Sequence, residues 1–380
     1  MKLAYNARHA HYGEPAQIQY ARALISGVTK INSAASQDET IVFGNTKILS
    51  SLPLFTSSNA HLRFFPTKLP IHRQSVGLAW EQALLNSHLK KVDPDIVHHL
   101  FFFMPPVTKQ RSYKNVVTFH DLAFVRTPEH FNLRTRLYFE LFAKPATKNA
   151  DAVVAISDSV RSDLIELYGV SESKIHRIYE ACNPIFETLA KTSQSSSTIE
   201  SQLEGSPFLL IVGVLHKRKN LVHLINALDA ANSSLKEMKI VFIGRKSYGA
   251  SEVFNAVNNS SIKDRTLFFE NLPIEELVWA YQNTSLFIAP SFSEGFCFPA
   301  LEAMNCHAPI LAANRGSLPE ILQDYAMYFD VERKESLVEA LRSFEIPQKR
   351  WLESKADLLL QRFSWEKTCK QTYALYQSIR

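Results

Sequence analysis

Cysteine is scarce in this chain and is not arranged in pairs. Its four cysteines, Cys182, Cys297, Cys306 and Cys369, form no Cys-x-x-Cys sequence. Paired spacings are typical of zinc sites, and dense cysteine frameworks are typical of small secreted domains. We therefore predict four free thiols and no metal site, in a protein of a reducing, cytoplasmic compartment.

Long apolar runs are also missing. No stretch approaches the roughly 20 apolar residues that cross a bilayer, and residues 1–9 lack the apolar core of a signal peptide. The most apolar segment, 100–104 (LFFFM), ends at Pro105 and Pro106. We interpret it as a buried segment before a loop. Contact with the inner membrane surface is the alternative.

No strong charge of one sign is present. The chain has 42 Lys and Arg against 37 Asp and Glu, a formal net charge of +5. A nucleic-acid-binding protein normally shows a concentrated basic stripe, so we predict no nucleic-acid partner. The small excess suits a protein that handles phosphates or works near an anionic membrane surface. Scattered, solvated lysines explain it equally well.

Two phosphate-binding signatures are absent as well. No Gly-x-x-x-x-Gly-Lys-Ser/Thr sequence is present, which argues against a P-loop. No Gly-x-Gly-x-x-Gly follows the first strand, which weakens the case for a dehydrogenase. Any phosphate site in this chain must therefore be built in another way.

The chain does contain a repeated alternation of short apolar runs and helix-length stretches. Strands buried on both faces and separated by helices predict parallel sheets. Because 380 residues are too many for one core, we predict two doubly wound α/β domains. The strand candidates are 40–44, 116–120, 152–156, 208–213, 239–244, 286–290 and 309–312.

A polar stretch separates the two halves. Residues 191–206 (KTSQSSSTIESQLEGS) are rich in serine and show little periodicity, so we interpret them as a linker or surface excursion, with a hinge near 184–186. The predicted domains are 1–186, joined by a returning helix at 364–380, and 187–363. Ser364 is the expected N-cap of that last helix.

The strongest functional signal is the string at 290–304 (PSFSEGFCFPALEAM). A strand ends, a loop with Gly295 follows, and Pro299 stands where a helix begins. Free N–H groups at such a helix start can hold a phosphate. Glu294 and Glu302 flank this position, and carboxylates accept hydrogen bonds from sugar hydroxyls. We predict that they bind one sugar at each end of a diphosphate, although either glutamate alone is equally explained as a surface residue.

The second signal is a basic turn at 213–220 (GVLHKRKN), directly after the first strand of the second half. Cations at the start of a helix oppose its dipole, and a bound anion would remove that conflict. Arg218 can chelate two oxygens and Lys219 acts as a point charge. We predict that both bind a donor diphosphate next to Gly213. A solvated basic turn is the alternative.

Weaker candidates lie in the first half. His120 and Asp121 follow a strand, at the edge where parallel sheets bind ligands, but a single histidine is as often structural. Ser157 is more simply explained as a helix cap. Gly13 is predicted between the first strand and first helix, where a loop can approach an acceptor or phosphate.

Together these motifs resemble the retaining glycosyltransferases of the GT-B architecture, glycosyltransferase family 4, a group that includes bacterial mannosyl- and glucosyltransferases. The string 294–302 is similar to that family's two-glutamate motif with seven intervening residues. The resemblance extends over nearly the whole chain, through 117–122 (VTFHDL), 150–157 (ADAVVAIS), 213–220 (GVLHKRKN), 316–320 (GSLPE) and 363–366 (FSWE).

The resemblance implies two Rossmann-like domains that face a cleft, with the last helix crossing back to the first domain. It implies that Glu294 contacts the donor sugar and Glu302 the nucleotide ribose. Arg218 and Lys219 would hold the diphosphate, and His120 would approach the donor sugar. Further expected site residues are Gly213, Gly295, Phe296, Cys297 and Phe298 for the donor, and Gly13 and Asp121 on the acceptor side.

Two positions depart from the family pattern. Cys297 stands where glycine is frequent, so the loop backbone is expected to be more restricted. The segment 180–184 (EACNP) replaces the usual Asn-Gly near the hinge, and no role follows for it from the resemblance.

The implied activity is transfer of a hexose from a nucleotide-diphosphate sugar to a glycan or lipid-linked glycan, with retained anomeric configuration. GDP-mannose is the favoured donor. No cofactor and no metal are expected, and peripheral membrane association is compatible with such an acceptor. The alternatives are a catalytically silent nucleotide-sugar-binding partner of the same fold and a nucleotide-sugar epimerase, which would show bound NAD or a metal requirement.

Overall fold

The computed structural model describes residues 1–8, 15–35, 39–44, 61–65, 69, 74–106, 111–192, 197–345 and 348–380. Gly13 lies outside these residues. The chain divides into two compact units. Unit 1 comprises Met1–Leu122, Leu137–Ala181 and Phe363–Arg380, and unit 2 comprises Ala123–Arg136 and Cys182–Arg362. The predicted domains differ from these units at 123–136, which group with unit 2, and near the predicted hinge, where the second segment of unit 1 ends at Ala181.

Every run predicted as a strand forms one. In chain order the described strands are β1 (Leu3–Asn6), β2 (Thr40–Phe43), β3 (Leu62–Phe64), β4 (Ile96–His99), β5 (Lys114–Phe119), β6 (Ala152–Ala155), β7 (Ile175–Arg177), β8 (Phe208–Val212), β9 (Lys239–Ile243), β10 (Thr266–Phe269), β11 (Leu286–Ala289), β12 (Ile310–Ala313) and β13 (Ala326–Phe329).

Helices follow most of these strands. The described helices are α1 (Pro15–Ala35), α2 (Gln74–Ala83), α3 (Leu85–Val92), α4 (Ala123–Arg126), α5 (Leu133–Asn149), α6 (Asp158–Tyr168), α7 (Pro184–Ala190), α8 (Ser197–Leu203), α9 (Leu221–Ala230), α10 (Asn232–Leu235), α11 (Ala250–Asn258), α12 (Ile274–Asn283), α13 (Phe298–Asn305), α14 (Leu318–Leu322), α15 (Lys334–Ser343), α16 (Lys349–Leu360) and α17 (Trp365–Ile379).

Each unit contains one parallel sheet. Unit 1 has seven strands in the order β3-β2-β1-β4-β5-β6-β7, and unit 2 has six in the order β10-β9-β8-β11-β12-β13. Every strand pair is parallel. The central strands β4 and β11 are buried along their whole length, as expected for sheets covered on both faces. The prediction of two doubly wound α/β domains is confirmed.

The last helix belongs to the first unit, as the resemblance implies. Ser364 caps α17 by accepting a hydrogen bond from the backbone N–H of Lys367 at 3.2 Å. Cys369, Tyr373 and Tyr376 are buried in the core cluster of unit 1, and α17 packs on α1. The predicted cap of this helix is therefore confirmed.

The serine-rich stretch between the halves is not a plain linker, although most of its described residues are exposed, as a surface excursion predicts. It contains α8, in which Ile199 and Leu203 are 0% and 3% exposed. These two residues are spaced by four and therefore share one helix face. Thr198 also donates a hydrogen bond to Glu276 at 2.7 Å. A single buried pair among polar residues gives too little periodicity to be recognised in the sequence.

Candidate functional site

The site candidates of unit 2 lie where its sheet changes direction. The chain runs from β8 outward to β10 and then returns to β11 on the other side of β8. Doubly wound sheets bind ligands at the carboxyl ends of their strands at such a switch point. The loops that follow β8 and β11 meet here around a pocket lined in part by Gly213, Lys219, Ser291 and Cys297.

Glu294 is held between the two cations of the basic turn. Its carboxylate accepts hydrogen bonds from Lys219 Nζ at 2.5 Å and from Arg218 Nη1 at 3.0 Å. Ser291 Oγ donates a third, at 2.6 Å. The Glu294 side chain is 6% exposed, against 19% for Arg218 and 11% for Lys219. The structure thus unites three of the predicted catalytic residues in one charged cluster.

The charge state of Glu294 follows from these contacts. Burial raises the pKa of this carboxyl, but the charges of Lys219 and Arg218 and the hydrogen bonds outweigh burial and lower the pKa to about 2. Glu294 is therefore ionised at neutral pH. The conflict of cations at a helix start, expected to be relieved by a bound anion, is relieved by Glu294 within the protein.

Backbone hydrogen bonds join the two loops around this cluster. Arg218 Nη1 donates to the carbonyl of Ser293 at 3.0 Å, and the carbonyl of Arg218 accepts from the N–H of Phe292 at 3.0 Å. The carbonyl of Glu294 accepts from the N–H of Ser317 at 3.2 Å. The geometry of the charged cluster is therefore fixed by its backbone as well as by its side chains.

Gly316 allows this close approach. It has a φ of +60°, and a Cβ placed there would lie 2.8 Å from the carbonyl oxygen and 3.0 Å from the nitrogen of Glu294. Any larger residue would be strained and would also push against the Glu294 backbone. The predicted family segment 316–320 thus supports the glutamate loop from outside the pocket.

Cys297 stands at the start of α13 with a φ of +59° and a ψ of +67°. This is the left-handed region, which residues with a Cβ adopt at a cost of roughly 1–2 kcal/mol. The restricted backbone expected from cysteine in place of glycine is therefore present. Burial raises the pKa of the Cys297 thiol to about 12, so the thiol is neutral.

Glu302 lies on α13 in a different environment. Tyr281 of α12 donates a hydrogen bond to its Oε2 at 2.9 Å. Burial raises the pKa of Glu302 to about 7, and the Tyr281 hydrogen bond opposes that rise. No cation pairs with Glu302 among the ion pairs of the described residues. The Glu302 carboxyl therefore titrates at a much higher pH than Glu294.

The remaining predicted donor residues have distinct positions. Gly213 follows β8 with a φ of +134°, and a Cβ there would lie 3.6 Å from Lys219 Nζ. The Phe296 side chain is 3% exposed, and its ring packs at 5.4 Å from that of Phe298. Gly295 is buried beside Glu294. The Phe296 side chain thus serves packing, and a ligand role for this residue would fall to its backbone.

His120 and Asp121 follow β5 in unit 1. His120 Nδ1 lies 3.0 Å from Glu180 Oε1, and its Nε2 lies 3.0 Å from the carbonyl oxygen of Leu100. Asp121 is half-buried beside it. Ser157 accepts from the N–H of Val160 at 3.1 Å and caps α6, which confirms its structural role.

Sequence reasoning assigned no role to four residues that support these side chains. Ser291 and Gly316 stand in recognised motifs, so position in the motif was an available signal. Glu180 belongs to the segment that departs from the family pattern. The sequence pattern predicts Tyr281 as part of the apolar face of α12, and nothing in the sequence distinguishes it from other buried tyrosines.

Two family matches cover most of the chain. Residues 194–355 match the family described as Glycosyl transferases group 1, and residues 50–184 match Glycosyltransferase Family 4. The chain is similar to O-antigen chain mannosyltransferase B of Escherichia coli, at 25% identity over 285 residues and 74% coverage of each chain. It is also 25% identical over 305 residues to the serotype-specific mannosyltransferase WbdA of Escherichia coli, where the match spans 76% of this chain and 37% of WbdA.

A solved structure supports the same architecture. Anabaena HepE in complex with UDP aligns with a TM-score of 0.70 at 18% identity and covers 100% of both chains. The two doubly wound sheets therefore form the GT-B fold. With the family matches, they show that the chain belongs to the GT-B glycosyltransferases of the family 4-like type. It is a nucleotide-sugar-dependent hexosyltransferase.

Proposed function

We propose that the enzyme transfers mannose from GDP-mannose to a glycan or lipid-linked glycan and retains the anomeric configuration. The mannosyltransferase relatives support the choice of sugar. The observation that carries the proposal is Glu294 held between Arg218 and Lys219 at the switch point of the unit 2 sheet. This arrangement supports a site in which a carboxylate would bind sugar hydroxyls next to two cations that would bind phosphate.

The donor diphosphate would bind against the two cations. Arg218 and Lys219 carry two positive charges and Glu294 one negative charge, so the cluster keeps an excess positive charge for an anionic ligand. Arg218 can chelate phosphate oxygens, and the Glu294 carboxylate can accept hydrogen bonds from sugar hydroxyls. Glu302 would accept hydrogen bonds from the ribose hydroxyls once it is ionised.

Transfer would then proceed by substitution at the anomeric carbon. The bond between this carbon and the phosphate oxygen breaks, and the nucleoside diphosphate leaves with the electron pair. Arg218, Lys219 and the N–H groups at the start of α13 would stabilise the charge that develops on it. The acceptor oxygen forms the new bond and passes its proton to the leaving phosphate, so no enzymic base is required.

The roles of the unit 1 residues extend this proposal. We propose that His120 contributes to donor-sugar binding and that Asp121 lies on the acceptor side, as the resemblance implies. Independence from metals and cofactors is a further prediction, to be tested by unchanged transfer rates in excess EDTA. The absence of a nucleic-acid partner also stays a prediction.

Membrane association is the last part of the proposal. None of the helices in the described ranges has the length and apolar character needed to cross a bilayer. Helix α5 exposes Leu133, Leu137 and Leu141, which are 65%, 57% and 67% exposed and spaced by four. Lys144 and Lys148 are exposed on the same face of this helix. Apolar and basic side chains together suit an anionic lipid surface.

The function is tested with purified protein, without added metal, against GDP, UDP, ADP, dTDP and their sugars. We expect a selective thermal shift with GDP and release of GDP from GDP-mannose when acceptor is present. A shift with another nucleotide would contradict the choice of donor. Binding without turnover on any acceptor would favour the catalytically silent partner.

Co-sedimentation with anionic vesicles tests the membrane association. We expect the wild-type protein to co-sediment and the variants Leu137→Glu and Leu141→Glu to bind the vesicles more weakly.

A further inference from the structure

The His120–Glu180 pair in unit 1 has an unusual geometry. Both ring nitrogens of His120 face oxygen atoms at 3.0 Å, one from the Glu180 carboxylate and one from the Leu100 carbonyl. The ring is stacked on Phe101 at 4.9 Å between centroids, and Tyr20 meets it edge-on at 4.9 Å. These contacts fix the orientation of the ring.

Charge balance restricts this pair to an imidazolium with a carboxylate or a neutral ring with a neutral carboxyl. The Glu180 side chain is completely buried, and His120 is its ion-pair partner among the described residues. A buried carboxylate without a compensating cation is strongly unfavourable. A carbonyl oxygen only accepts hydrogen bonds, so Nε2 must carry a proton. A proton on Nδ1 as well gives an imidazolium whose positive charge lies 3.0 Å from the Glu180 carboxylate and whose Nε2 donates to the Leu100 carbonyl.

The other ionisable groups around the ring are consistent with a positive charge. Asp121 follows it in the chain, Tyr20 faces it from α1, and His98 approaches from β4. Burial lowers the pKa of His120, but Glu180, the Leu100 carbonyl and Asp121 outweigh burial and leave this pKa above its ordinary value. His98, buried without a carboxylate partner, has its pKa lowered.

We propose that Glu180 is a positioning residue that holds His120 as a fixed imidazolium during transfer. This inference rests on the proposed function of His120 in donor binding. The geometry leaves neither ring nitrogen available to act as a base. His120 therefore contributes a constant positive charge near the anionic donor, and Glu180 keeps that charge present across the neutral pH range. This inference gives a role to Glu180, the first residue of the segment 180–184 that departs from the family pattern.

The first test measures protonation directly in the wild-type protein. Ring nitrogen NMR of protein labelled with ¹⁵N-histidine, assigned with His120→Asn, reports whether each nitrogen carries a proton. We expect both His120 nitrogens to be protonated at pH 7.5. An unprotonated Nδ1, accepting from a neutral Glu180, would overturn the inference whatever the enzyme's activity. This outcome is distinct from failure of the proposed function, which would appear as absent transfer with the imidazolium intact.

The second test uses Glu180→Gln, which keeps the shape and removes the charge. We expect kcat to become pH-dependent, with wild-type-like rates at pH 6 and a loss of about tenfold by pH 8 as His120 deprotonates. Glu129→Gln is the matched control, because Glu129 lies 3.6 Å from His130 but is 64% exposed. It should change neither spectrum nor pH profile. A uniform, pH-independent loss in Glu180→Gln would indicate a merely structural role. If this variant does not fold, the wild-type spectrum alone decides.

Discussion

The two glutamates of the 290–304 string are separated by seven residues but differ in charge state. Glu294, in the loop, has two cations within 3.0 Å, and its pKa falls to about 2. Glu302, on α13, has one phenol at 2.9 Å, and its pKa rises to about 7. Burial raises the pKa at both positions. The neighbouring charges therefore decide which glutamate is permanently ionised.

The difference has opposite consequences for stability. The folded-state pKa of Glu294 is below the ordinary value of 4.5, so Glu294 stabilises the fold above that pH and loses this contribution as pH falls toward 2. The folded-state pKa of Glu302 is above 4.5, so the fold loses stability as pH rises from 4.5 to 7. Glu294 stays ionised and holds the cluster together, whereas the charge of Glu302 changes with pH.

Removing the charge of Glu294 should have the largest effect on the transfer rate. Glu294→Gln leaves Arg218 and Lys219 without their carboxylate, so we expect the transfer rate to fall on the order of 100-fold. Glu252→Gln is the matched control, because Glu252 pairs with Lys217 at 3.1 Å but is 51% exposed. Steady-state kinetics of the two variants measure the difference. Equal rates would show that the Glu294 cluster is structural.

Displacing the Glu294 backbone without changing any charge is the second prediction. Gly316→Ala introduces a Cβ 2.8 Å from the Glu294 carbonyl oxygen, and we expect a rate loss on the order of tenfold from misplacement of the cluster. Gly169→Ala is the control. Gly169 has a similar φ of +65°, but a Cβ there would meet nothing within 4 Å, so this variant shows the effect of backbone strain without a clash. Chemical denaturation should show that the two variants lose stability to different extents. Steady-state kinetics should show a clear loss of transfer rate in Gly316→Ala and not in Gly169→Ala. Similar rates would mean that the loop tolerates displacement.

Much of this comparison was predictable from the sequence. The strands are continuous apolar runs, and the order of strand, glycine, proline and glutamates in 290–304 predicted a loop and helix start at a ligand-binding edge. The sequence did not predict that the cations of 213–220 pair with Glu294. This pairing depends on β8 and β11 being neighbours in the sheet, and strand order cannot be read from the local sequence. Tyr281 was missed because hydrogen bonding between helices α12 and α13 has no local sequence signature.

Tyr281 therefore offers the third prediction. Its hydrogen bond favours ionised Glu302, so Tyr281→Phe should raise the pKa of Glu302 further. Nucleotide affinity should then fall about threefold to tenfold at pH 7 and recover above pH 8.5. Calorimetry in buffers of different ionisation enthalpy measures both the affinity and the proton released on binding. Tyr325→Phe removes a similar buried hydroxyl, bonded to the Ala308 carbonyl at 3.0 Å, and should leave the pH midpoint unchanged.

The smallest effect is expected at Cys297, which lies between the two glutamates. Cys297→Gly relieves a left-handed conformation worth roughly 1–2 kcal/mol but adds about 0.4–1 kcal/mol of unfolded-state entropy. From these two contributions, the free energy of unfolding should rise by no more than about 1.6 kcal/mol. Cys306 ends the same helix with a φ of −93° and is equally buried, so Cys306→Gly should only destabilise. Chemical denaturation of both variants separates backbone strain from loss of a buried thiol. Destabilisation of the same size in both would show that the thiol, and not the backbone, matters at position 297, and that the loop of Glu294 is unstrained.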